Sequence, residues 1–196
     1  PGAMLYVCRG ARGGRRTEAR MRLALLGPAP PFRGGIVTYQ AMLYRTLEAR
    51  GHDLRWASFR RQYPGFLFPG TEQTGRTAEW LLRPNQPTFV PWSPASWRRT
   101  AQAILAGAPD AVVVQYWLPY FAPGLWGVLS RVRRRARVVT VLHNVTPHES
   151  YPLSRPLTRL ALRQSHGFVA QSDQVRRDLL DLLPGLANER VITAPH

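Results

Sequence analysis

A doubly wound α/β domain with a mostly parallel sheet is the fold class this sequence predicts, and three observations predict it. Strand-like and helix-like segments alternate from residue 22 onward. Most strand segments are continuously apolar rather than alternating, as expected for strands covered on both faces. With 196 residues, 44% of them hydrophobic and 19% charged, the chain can bury roughly 70% of its unfolded surface around one core. That composition excludes disorder. No apolar run reaches the roughly 18 residues of a membrane-spanning helix.

Each element follows from local pattern. Residues 22–26 are an apolar run closed by Gly27-Pro28, a buried strand. Residues 36–50 form a helix, with Ile36, Tyr39, Leu43 and Leu47 at helical spacing and Gly51 to end it. Residues 54–59 give a second strand, and 60–92, crowded with Pro and Gly, give a long irregular stretch. Ser93-Pro94 is an N-cap followed by proline at the first helical position, and Trp97, Ala101, Ile104 and Leu105 line that helix until Gly107. Residues 111–116 are a buried strand. Phe121, Leu125, Val128, Leu129 and Val132 form the next helical stripe, which runs into the basic segment 131–137. A strand at 138–142, a helix at 154–165, a short strand at 168–171, a helix opened by Ser172 and a strand at 191–193 complete the series, for about six or seven strands. The chain contains no internal repeat.

The charge is unusual. Twenty-seven basic residues, all Arg, stand against eleven acidic ones, for a net +16. A field this positive favours anionic partners: phosphate ligands, lipid headgroups or nucleic acid. Residues 1–20 read as a flexible basic arm, with Pro1-Gly2-Ala3 ahead of Met4 a tag remnant. Arg15-Arg16 does not make an export signal, because the apolar run after it is short and is followed by Pro28 and Pro30. One Cys excludes an intrachain disulfide and a Cys-based zinc site. A cytoplasmic location fits these features.

In a doubly wound sheet, ligands sit outside the carboxyl ends of the strands. After the first strand come Arg33, Gly34 and Gly35, immediately before a helix. Paired glycines let backbone approach a ligand, and the helix start offers N–H groups to an anion. The dinucleotide pattern G-x-G-x-x-G is not present. After residues 111–115 come Tyr116 and Trp117, aromatics able to stack on a sugar or a base. After 138–142 come His143, Asn144, His148 and Glu149. Their spacing does not put two His on one helix face and Pro147 interrupts them, so no metal is expected; a single His donating a hydrogen bond to a ligand, or a structural His, fits better.

The ordered set "PPFRGGI", "EARGH", "DAVVVQYW", "VVTVLHN" and "GFVAQSDQVRRDL" resembles the N-terminal half of glycosyltransferase family 4 over residues 22–196. The resemblance implies a GT-B fold, two Rossmann-like domains facing across a cleft. It implies a retaining enzyme that moves a sugar from a nucleotide-diphosphate sugar to an acceptor such as a lipid-linked or cell-surface glycan precursor, with no permanently bound cofactor. On that resemblance Gly34, Gly35 and Arg33 hold the donor phosphates, and His143 is catalytic. Tyr116, Trp117, Asn144, His148 and Glu149 meet the acceptor. Where many members carry a His-x-His-Asp-like motif, this chain has Val113, Val114, Gln115 and Tyr116; Gln115 then takes the place of the His, keeping a hydrogen bond but no charge. The family's second, donor-binding domain, with its paired glutamates, is absent from these residues, so the chain alone is expected to be inactive.

Two other readings stay open. A single-domain nucleotide binder would need an acidic residue at the end of the second strand, where Phe59, Arg60 and Arg61 stand. A nucleic-acid module is motivated by the charge, but no nucleic-acid motif accompanies it, so no specific nucleic acid is expected. Finally, Arg55, Arg60 and Arg61, the segment 63–70 and Trp97-Arg98-Arg99 set aromatics beside Arg. That pairing suits peripheral contact with the anionic inner face of a membrane.

Overall fold

The computed structural model describes residues 20–63, 74–75, 78–145 and 153–195. Seven parallel strands form one sheet: β1 (Arg22–Gly27), β2 (Asp53–Phe59), β3 (Gln86–Phe89), β4 (Ala111–Tyr116), β5 (Arg137–Leu142), β6 (Gly167–Ala170) and β7 (Val191–Thr193). Their spatial order is β3-β2-β1-β4-β5-β6-β7. The order reverses at β1, which pairs with both β2 and β4. In open α/β sheets the crevice at such a reversal is where ligands bind.

Five helices connect the strands: α1 (Gly35–Ala49), α2 (Pro94–Leu105), α3 (Ala122–Val132), α4 (Ser154–Leu162) and α5 (Asp173–Leu182). The expected caps are present, with Ser93 accepting from the Ser96 amide and Ser172 from the Val175 amide. The core has two layers. Leu23, Leu25, Val113, Val139, Val141 and Val169 pack on the α1 face with Ala41, Leu43, Tyr44 and Leu47. Leu26, Val112, Val114, Tyr116, Val138 and Leu142 face the other way, against residues of α2, α3, α4 and α5. This is side-chain alternation in continuously apolar strands: both parities are buried, each on its own face.

Three local expectations shift. β3 lies inside the stretch read as irregular. It is an edge strand paired only to β2, so it needs no apolar run and tolerates Pro87. On α1 the buried stripe includes Val37, Gln40 and Tyr44, whereas Ile36 and Tyr39 are only half-buried. On α2 the inward face is mostly small and polar: Ser96, Thr100 and Ala101 with Ile104. Thr100 pairs its hydroxyl with that of Thr88 at 3.1 Å. Trp97 lies over Gly127 and donates its indole N–H to the Val90 and Pro91 carbonyls. It is therefore a packing residue and not a ring presented to a headgroup layer. Residues 64–70 of the same aromatic-basic group lie outside the described residues.

Candidate active site

Strand parity assembles the site. Leu25, Val113, Val141 and Val169 point to the α1 face. Two residues further along each strand direction stand Gly27, Gln115, His143 and Gln171, which parity places on that same face. The backbone keeps the sheet pairing that far: the His143 amide donates to the Tyr116 carbonyl at 3.0 Å and the Gln171 amide to the Leu142 carbonyl at 3.2 Å. A row of polar groups thus lines the carboxyl ends of four adjacent strands beneath α1.

These groups form a chain of two hydrogen-bonded segments joined by a ring contact. Gln115 Nε2 donates to Gln40 Oε1 at 2.6 Å, and Gln115 Oε1 lies 2.6 Å from His143 Nε2. With the amide so oriented its carbonyl can only accept, so His143 carries its proton on Nε2. The Tyr39 ring meets the His143 ring edge-on at 5.1 Å between centroids. Gln171 Nε2 donates to the Tyr39 hydroxyl at 3.1 Å. Burial raises the Tyr39 phenol above its ordinary pKa, against the lowering effect of that hydrogen bond. Gln40 is fully buried, and its Nε2 has no partner among the described residues.

Gly27 makes the chain sterically feasible. A Cβ there would sit 2.8 Å from Gln115 Cγ and 3.2 Å from both Gln40 Cδ and Nε2. Gly27→Ala should therefore destabilise the protein by about 1–3 kcal/mol, the usual cost of overpacking a tight interior. Urea unfolding of the chain measures it, and a cost below about 0.5 kcal/mol would mean the two glutamines give way freely.

The glycine loop lies beside this chain. It leaves β1 through Pro28–Pro31, with a cis bond between Pro30 and Pro31, and reaches Gly34 at φ 122°, ψ 165°. That region is essentially reserved for glycine. Gly34 is the N-cap of α1 and has no side chain to satisfy the helix start. Its carbonyl accepts from Val37 and Thr38, while the Gly35 and Ile36 amides have no partner among the described residues. A Cβ on Gly34 or Gly35 would meet nothing within 4 Å. Two N–H donors, the positive end of a 15-residue helix and space that no described residue fills are the features an anion site requires. Arg33 is exposed, and its guanidinium lies over Gly75.

The remaining candidates divide. Tyr116 has no exposure, and its hydroxyl is 2.7 Å from Thr158 Oγ1. Burial drives its phenol pKa far up. Parity sends it to the opposite face from Gln115, so it is a core residue and not a stacking platform. Gln115 is 1% exposed with both amide atoms engaged, so it positions His143 and does not meet a ligand. Trp117 is half-buried against Phe59 and Phe121, and its indole donates to the Tyr63 hydroxyl. Asn144 is half-buried directly after His143. His148 and Glu149 lie outside the described residues.

Sequence reasoning missed Gln40, Tyr39, Tyr63 and Trp92. Gln40 could have been found as a polar residue on the inward stripe of an amphipathic helix. Tyr63 stacks on Tyr120 at 5.8 Å, and Trp92 lies 6.5 Å from Tyr120. These three rings extend the Phe59–Trp117–Phe121 cluster to the surface, where Trp92 is 40% and Tyr120 37% exposed.

The fold agrees with the comparisons to known proteins. Structural similarity is found to an alpha-glucosyltransferase in complex with UDP and a 13-mer DNA containing an HMU base, with TM-score 0.59 and 10% identity over 89% of this chain and 42% of that one. An alpha-glucosyltransferase in complex with UDP-glucose and DNA containing an abasic site matches at TM-score 0.59 and 11% identity, over the same shares. The alpha-glucosyltransferase complex with UDP alone matches at 0.57 and 10%, over 88% and 43%. The chain thus spans about two fifths of the length of these structures. No curated protein sequence matches it. Among the described residues no helix is long and apolar enough to cross a membrane. The family model for a glycosyl transferase 4-like domain matches residues 34–195. With its all-parallel Rossmann-like sheet, its glycine-started α1 and a family match over most of its length, the chain belongs to the glycosyl transferase 4-like family.

Proposed function

We propose that this chain is the acceptor-side half of a retaining glycosyltransferase that takes a sugar from a nucleotide-diphosphate sugar. One observation carries the reading: the unpartnered amides of Gly35 and Ile36 open α1 at the same strand ends where Gln40 and Gln115 fix His143. A diphosphate is the anion that a helix start of this kind holds well, and Arg33 at its edge adds a full charge. His143, its Nε2–H held by Gln115, then supplies a ring of fixed orientation beside that anion. Orientation fixed before reaction makes a polar group effective in stabilising charge that develops in a transition state. The donor sugar nucleotide is a substrate in this reading, and no resident cofactor or metal takes part.

A second domain supplies most of the nucleotide contacts and leaving-group stabilisation. The chain's span of about two fifths of its structural neighbours supports that division. The exposed Tyr120 and Trp92, with half-buried Trp117 and Asn144, flank the acceptor side. An acceptor joined to a lipid fits an aromatic rim next to exposed Arg60 and Arg61, which would also support peripheral contact with an anionic membrane.

The test is transfer itself. The full-length protein, given nucleotide-diphosphate sugars, should release the nucleoside diphosphate and form a glycoside with the donor's anomeric configuration, read by NMR. Residues 1–196 alone should show negligible transfer. Robust turnover by 1–196 would overturn the half-enzyme reading. A nicotinamide fluorescence response without any transfer by the full-length protein would replace it with the dinucleotide-binding alternative.

A further inference from the structure

The other end of the sheet holds a basic cavity of about 700 Å³ that has no part in the sugar-transfer reading. It is lined by Arg22 at the start of β1, Asp110 before β4, the arginines of the 133–137 turn and His166 before β6. These are the amino ends of the strands, while Gly27, Gln115 and His143 stand at the carboxyl ends. The two sites are separated by the length of a strand, roughly 20 Å at about 3.3 Å per residue.

The charges in this cavity are not internally neutralised. Arg22, Arg133, Arg134, Arg135 and Arg137 stand against the single Asp110. That aspartate is already engaged by Arg22, at 2.8 Å from its amide and 3.2 Å from its guanidinium. Arg133 reaches only neutral oxygens, the Arg163 carbonyl and Gln164 Oε1. Arg134, Arg135 and Arg137 make no salt bridge among the described residues. The carboxyl end of α3 favours a cation nearby, but that effect fades within a turn. It does not account for Arg22 and Arg137, which begin strands.

His166 adds a neutral donor. Its Nδ1 accepts from the Val138 amide at 2.9 Å, so the ring proton is on Nε2. Burial, then the positive charges of Arg133, Arg137 and Arg190, hold its pKa below the ordinary value. The ring therefore reports the positive potential around it and does not add to it.

We propose that this cavity binds a compact oligophosphate anion of the diphosphate or triphosphate class. Guanidinium forks pair bidentately with phosphate oxygens, which suits Arg better than any other cation. Five arginines against one aspartate leave four positive charges, which matches a ligand of about three to four negative charges better than a single phosphate. The volume lies within the roughly 300–1,000 Å³ typical of small-molecule sites and exceeds what one phosphate fills. The ligand is free in solution or is the pyrophosphate headgroup of a lipid, and the chemistry recognised is the same.

Isothermal titration of pyrophosphate into the 196-residue chain at low salt tests the site without any need for transfer activity, so its failure is distinct from failure of the glycosyltransferase reading. Binding should weaken about tenfold or more in Arg134→Gln/Arg137→Gln. It should change less than about twofold in Arg98→Gln/Arg99→Gln, which removes the same charge from two arginines of α2 that are likewise exposed but lie outside the cavity lining. Circular dichroism and unfolding midpoints should match the parent for both variants. Absence of binding at millimolar pyrophosphate would overturn the proposal. So would equal weakening by both variants, which would mean diffuse charge attraction only, or indifference to Arg134→Gln/Arg137→Gln, which would put the anion at the glycine loop. In a second arm, vesicles carrying a polyprenyl diphosphate that displace pyrophosphate from the parent, where vesicles of the neutral lipid alone do not, identify a headgroup as the source. Vesicles without effect identify a free oligophosphate.

Discussion

Gly35→Val in the full-length enzyme should reduce sugar transfer by more than about a thousandfold while the fold survives. The Cβ of a valine there has no described protein atom within 4 Å. Gly35 is the first residue of α1, and valine is no worse than glycine in a helix. The unfolding midpoint of the chain should therefore stay within a few degrees of the parent. The branched side chain instead fills the space over the Gly35 and Ile36 amides, where the proposed function brings a diphosphate into hydrogen-bond contact. The neighbouring Gly34 makes the contrast. Its φ of 122° admits essentially only glycine, so Gly34→Val should lower stability as well as activity. Transfer rates of the Gly35→Val enzyme within about tenfold of the parent would remove the glycine loop from the donor site.

His143→Ala should cost about 2–4 kcal/mol of transition-state stabilisation, a loss of roughly 10²–10³ in kcat, the range seen when one preorganised polar group is removed from developing charge. The geometry adds a sharper expectation. In the proposed reaction Gln115 contributes by holding His143 at 2.6 Å, so Gln115→Leu should lower kcat through loss of that orientation. The double variant His143→Ala/Gln115→Leu should then be hardly worse than His143→Ala alone, since both remove the same device. Additive losses would show that Gln115 has a separate role. A His143→Ala loss below about tenfold would leave His143 as a structural residue that seals the end of β5.

These two predictions differ in how much of them the sequence alone supports. The glycine loop was legible because its position after an apolar strand and before an amphipathic helix defines what it can do: a backbone loop at a helix start acts through N–H groups that every such start has. His143 was legible as a residue at the end of a strand. Its partners were not, because Gln40 and Gln115 are 75 residues apart in sequence and meet only when β1 and β4 pair. Tyr116 shows the converse. It follows Gln115 directly and the sequence groups the two at one strand end, yet alternation along β4 buries Tyr116 on the opposite face against Thr158.

The sequence by itself determined the fold class, the parallel sheet and the ends of most helices. Those depend on local quantities: continuous apolar runs, helical spacing, a serine before each of α2 and α5, and glycine or proline at the breaks. It could not mark β3, whose polar residues carry no periodic signal because an edge strand rests on a single neighbour. Tertiary structure alone decided which end of the sheet each charged and polar group occupies. The strand order brings Gly27, Gln115, His143 and Gln171 together beneath α1, and it brings the turn arginines from residues 133–137 beside Arg22 at the far end. Both groupings join residues from distant parts of the chain, and the free energy that holds them there is the burial of the sheet's two faces, to which they themselves contribute little.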